Sequence, residues 1–69
     1  MLSINNLRKG SRYEITNYGE IIQFEVIEFT STEIKVKNID TLEVFFLEDI
    51  IRYGKGKDYQ LIDLENADD

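Results

Sequence analysis

Neither cysteine nor histidine occurs among the 69 residues, and proline and tryptophan are missing as well. Without cysteine the chain has no disulfide and no thiolate, and without histidine the usual zinc ligand sets cannot be assembled. The same two absences remove a cysteine nucleophile and the base on which a serine triad depends. Long apolar runs are lacking too. No stretch approaches the ~20 residues that a membrane helix requires, and Met1–Leu7 has no basic start leading into a long apolar core, so it does not read as a secretory leader. A cytoplasmic protein with no membrane contact is the expectation.

What remains is enough to fold. Hydrophobic residues make up 42% of the chain, too many for a disordered segment. A single domain of this size sits near the lower limit for an unassisted core, so its stability must come from packing or from association. The net charge of −6 is unevenly placed: residues 58–69 carry five acidic side chains and no basic one, whereas residues 1–57 are close to neutral. The last apolar run ends at Leu64, which sets the expected boundaries: residues 1–64 form the domain and residues 65–69 an acidic tail that should fray.

The apolar pattern is strand-like throughout. Asn17-Tyr18-Gly19 separates a run at Arg12–Thr16 from a longer one at Glu20–Phe29, which predicts a hairpin with Gly19 at positive φ. In the longer run Ile22, Phe24 and Val26 alternate with Gln23 and Glu25, the period of a half-buried strand. Ile21, Ile27 and Phe29 break the polar face, as expected of a strand that bends through a bulge. Glu33–Lys37 alternates cleanly, with Ile34 and Val36 inward and both lysines outward, where they would discourage edge pairing. After the turn Asn38-Ile39-Asp40, a fourth strand is read over Leu42–Leu47, with Leu42, Val44 and Phe46 as its core face. Leu47–Tyr53 suits one helical or 3₁₀ turn, Gly54–Lys57 a loop, and Tyr59–Leu64 a closing strand.

Five short strands, with a single turn of helix before the last, resemble an SH3-like barrel of the small bacterial kind. The phrases that carry the resemblance are Leu7-Arg8-Lys9-Gly10 before the first strand and Phe46-Leu47-Glu48-Asp49-Ile50 at the turn. The fold class it implies is all-β, a five-stranded SH3-like barrel. The peptide-binding version of that fold grips proline-rich ligands with clustered aromatics that include tryptophan. With no tryptophan here, proline-rich recognition is not expected.

Chemistry finds little purchase on this chain. Ser3, Ser11 and Ser31 lie in turn or terminal contexts, where a hydroxyl serves local backbone. Glu48-Asp49 is the one acidic pair beside an apolar segment, and capping the short turn is its expected role. Gly54-Lys55-Gly56-Lys57 fails as a phosphate loop, because Ile51 stands where glycine is needed and Asp58 where serine or threonine is needed. No catalytic residue, cofactor or metal is expected, and the protein reads as a binding module.

Two surfaces are candidates. Phe45, Leu47, Ile27 and Phe29 fall on faces that alternation would leave wet, the mark of a partner surface for another protein or a homo-oligomer. Arg8, Lys9 and Arg12 near the start, and Arg52, Tyr53, Lys55 and Lys57 in the glycine-rich loop, mix positive charge with aromatic rings. Together they would form an alternative patch for single-stranded nucleic acid, with lysines on phosphates and rings on bases.

Overall fold

The computed structural model describes residues 2–65. Five strands run in the order expected, β1 Arg12–Asn17, β2 Glu20–Phe29, β3 Ile34–Asn38, β4 Val44–Phe46 and β5 Gln60–Asp63. A 3₁₀ turn at Leu47–Asp49 leads out of β4, and a second, unanticipated one at Ile4–Asn6 precedes β1. There is no longer helix among the described residues, and none long and apolar enough to cross a membrane.

All pairings are antiparallel, and the spatial order is β4-β3-β2-β1-β5. Tyr18 and Gly19 both take positive φ, 50° and 80°, the geometry of a two-residue hairpin turn whose twist matches its strands. Between β2 and β3 the register steps from Val26↔Val36 to Glu28↔Lys35, so Ile27 is the extra residue of a bulge. That bulge is the bend anticipated from the broken alternation of β2. It also turns the sheet: side chains from one face of β1, β2, β3 and β5 are fully buried, yet the described residues include no second layer beyond the 3₁₀ turns and loops. The principal extents are 29 × 28 × 24 Å. A flat single sheet is only about 10 Å thick, so this one curls round its own inner face, although no ladder joins β4 to β5.

The core comprises Leu7, Tyr13, Ile15, Phe24, Val26, Val36, Leu47 and Leu61, with Ile22, Ile34 and Phe45 packed against it. Two of these overturn the reading of β4. The turn after β3 is longer than expected: the Asn38 side-chain carbonyl accepts the Asp40 and Thr41 N–H groups, and Leu42 sits at φ 65° with its N–H donating to the Asn38 carbonyl. This left-handed residue ends the turn and delays the strand until Val44. Phe45 then falls opposite Val36 and points inward, while Val44 and Phe46 fall opposite Lys37 and Lys35 on the outer face. Because side chains alternate, a shift of one residue exchanges the two faces. Leu42 and Val44 are exposed, not core.

The outer face is a set of charge-complementary rows. Lys35 lies opposite Glu28, and Lys37 opposite Glu25, which in turn faces Arg12 across β1 at 3.5 Å. β3 is an interior strand, so its lysines sit within the sheet and do not guard an edge. Glu65, assigned to the fraying tail, accepts the Arg12 N–H at 2.9 Å and so extends the ordered part by one residue. The rest of that tail, residues 66–69, lies outside the described residues.

Candidate functional site

The four apolar candidates do not form an exposed surface. Leu47 is 0% exposed in the heart of the core, Phe45 packs against it, and Ile27 is the half-buried bulge residue. Only Phe29 is substantially exposed, and it lines an open hollow of about 260 Å³ together with Ile4, Ile34 and Glu48. Glu48 has a different task from the one expected: the 3₁₀ turn has no side-chain cap, and the Glu48 carboxylate instead accepts the Ile34 N–H at 3.0 Å. Asp49 pairs with Arg52.

The basic residues fall into two groups at opposite ends of β1. Arg8 and Lys9 precede the end at Arg12, where Gly10 and Ser11 bond the backbone of Val26. The loop carrying Arg52, Tyr53, Lys55 and Lys57 is bound to the other end, at Asn17. Six residues of strand span roughly 17 Å, so the two groups do not form one patch. Two of the arginines are also neutralised locally, Arg12 by Glu25 and Arg52 by Asp49.

A more ordered arrangement exists at the Asn17 end. Asn17 is the last residue of β1 and continues the inward parity of Tyr13 and Ile15, which buries its amide. Its Nδ2 donates to the carbonyls of Ile50 at 3.0 Å and Gly54 at 3.2 Å, and its Oδ1 accepts the Gly56 N–H at 2.7 Å. One side chain thus holds the loop after the 3₁₀ turn at three points. From the loop side, the Asp58 carboxylate accepts the N–H groups of Tyr18 at 2.9 Å and Gly19 at 2.7 Å, the two that the hairpin turn leaves pointing outward. The Tyr18 hydroxyl donates to the Tyr53 carbonyl at 3.3 Å. The Tyr18 ring lies so close over Gly56 that a Cβ there would come within 3.0 Å of it.

This network fixes what it displays. Tyr53 is 86% exposed and Tyr18 61% exposed. Lys55 Nζ stands 4.7 Å over the Tyr59 ring, whose burial raises the pKa of its phenol, and Lys57 is exposed. Of the residues named from sequence, Arg52, Tyr53, Lys55 and Lys57 are gathered here, while sequence marks Asn17 and Tyr18 only as turn residues and Asp58 only as the start of the acidic C-terminal stretch. The signal that was present is an asparagine at an inward strand position, where a residue with unmet hydrogen bonds must find partners.

Removing the Asp58 carboxylate tests the turn clamp. Asp58→Ala is expected to cost about 1 kcal/mol, since two charge-assisted bonds are lost at an exposed turn where water replaces them in part. Urea denaturation measures the cost, and hydrogen exchange should be faster at Tyr18 and Gly19 than in the wild-type protein. Unchanged exchange at both amides would contradict the clamp.

No family model, no curated protein and no solved structure matches the chain. What defines the protein at this point is its class, an all-β five-stranded antiparallel domain whose best-organised surface is a pinned loop with exposed tyrosines.

Proposed function

We propose that the protein is a non-catalytic binding module of SH3-like type that engages a protein partner through Tyr18, Tyr53, Arg52 and Lys57. The observation that carries the reading is the buried Asn17 amide, which holds the loop at three points while Tyr53 stays almost fully exposed. A loop already fixed in place loses little conformational entropy when a partner binds. Tyrosine and arginine are also the residue types that most often anchor protein interfaces. Nucleic acid is the weaker reading, because the positive groups are split between two ends of β1, and Glu20, Asp49 and Asp58 accompany the loop in a chain of net charge −6.

A photo-crosslinking residue placed at Lys57, with a control at Lys9, tests this in the cells that make the protein. A discrete protein adduct from position 57 only, reduced roughly tenfold by Tyr53→Ala as for a lost interface anchor, is the expected result. An adduct removed by nuclease would replace the partner class with nucleic acid. No adduct at position 57, or equal adducts at both positions, would reject the surface.

A further inference from the structure

The two ends of the sheet differ in what they offer. β4 pairs only with β3, and the ladder fixes which of its backbone groups are used. The Asn38 N–H donates to the Glu43 carbonyl, so by the alternation of an antiparallel pair Phe45 bonds to Val36, while Val44 turns its N–H and C=O, and Phe46 its N–H, away from the sheet; the Phe46 carbonyl caps the 3₁₀ turn at Leu47–Asp49 and serves its first bond. The side chains of those same two residues lie on the outer face, with Val44 47% exposed. A short, apolar strand edge is therefore presented at Val44–Phe46.

We infer that a second copy of this chain adds its own β4 to this edge, extending the sheet across a twofold axis at Phe45. The segment is complementary to itself. Antiparallel pairing centred on Phe45 sets each Val44 opposite the other copy's Phe46, and the Phe46 N–H of each copy donates to the Val44 carbonyl of the other, two bonds across the twofold axis. On the outer face the valine of each copy then covers the phenylalanine of the other. Charge does not oppose this. Lys37 and the other copy's Lys35 are three strand spacings apart, roughly 14 Å, beyond the screening length in physiological salt, and each lysine faces a glutamate on β2. The opposite edge is less suited to adding a strand, because β5 ends in Asp63 and Glu65 follows, and charged side chains on an edge discourage pairing. Three residues per copy make a small interface, and contacts well under ~1,200 Å² are transient. The dimer is accordingly weak and depends on concentration.

This surface is distinct from the tyrosine loop, and its test reads oligomeric state and not partner capture, so either reading can fail alone. Sedimentation velocity of the full chain from about 10 µM to 1 mM, together with amide spectra over the same range, is the experiment. The expected result is a reversible monomer–dimer equilibrium, with concentration-dependent shifts centred on Val44 and Phe46. Val44→Pro sets a ring on the outward edge without touching a ladder bond, and Val44→Lys places a charge there; each should weaken dimerisation at least tenfold while the amide spectrum stays that of the folded domain. A monomer across the whole range would overturn the inference. So would self-association that survives both substitutions, or shifts that fall on Tyr53–Lys57 or on β5.

Discussion

Replacing Asn17 by alanine is expected to lower stability by about 2 kcal/mol, a large share of the ~3–5 kcal/mol a domain of this size commands. The wild-type amide answers two carbonyls and one N–H from the loop, and alanine leaves all three without a partner in a part-buried setting. Water can reach some of them if the loop lifts, which keeps the cost below the sum of three desolvation penalties. Lifting is the second part of the prediction. The Gly56 amide should exchange much faster than in the wild-type protein, while the Val26 amide, bonded to Ser11, should change only as far as global stability does. Asn17→Asp makes a sharper comparison. A carboxylate can still accept from Gly56 but has nothing to donate to Ile50 or Gly54, and it sets a buried charge against two carbonyl oxygens. It should be at least as damaging as alanine. If both variants unfold within about 0.5 kcal/mol of the wild-type midpoint energy, the loop is not held by this residue, and the Tyr53 surface loses its support.

The pattern of a 69-residue chain revealed the strands through local rules and missed what depended on distant pairing. The hairpin at Tyr18-Gly19 was legible through Gly19, a residue suited to positive φ, whereas the positive φ of Tyr18 is outside the residue types that such a turn favours. The bend in β2 was legible because Ile27 breaks an otherwise regular alternation. Val26 and Val36 were placed correctly for the same reason, since polar neighbours mark the faces of both strands. β4 has no such markers: Leu42, Val44, Phe45, Phe46 and Leu47 are all apolar, so parity depends on where the preceding turn ends. That is set by Leu42 at φ 65°, a conformation that leucine rarely takes and sequence gives no reason to expect. The binding surface was half legible. Tyr53 and the loop lysines stood out by composition, whereas the role of Asn17 rests on partners 33 to 39 residues away, which no local pattern discloses.

That ambiguity in β4 yields the largest expected effect. Leu47→Ala should cost about 3 kcal/mol, within the range for deleting a fully buried leucine side chain, and enough to leave much of the population unfolded at 25 °C. Phe45→Glu puts a carboxylate on the inner face beside Val36 and should abolish the folded state, so it cannot serve as a probe of surface binding. Leu42→Ala and Val44→Ala, at 64% and 47% exposed, should each stay within about 0.5 kcal/mol of wild type. Alternation read from sequence alone reverses the assignment, making Leu42 and Val44 the costly positions and Leu47 the tolerant one. Urea denaturation of Leu47→Ala, Leu42→Ala and Val44→Ala therefore decides the register of the edge strand, because the two registers predict opposite orders of stability. Should Leu42→Ala prove the more damaging, β4 is paired one residue out of phase. The outward Val44–Phe46 edge on which dimerisation depends would then not exist.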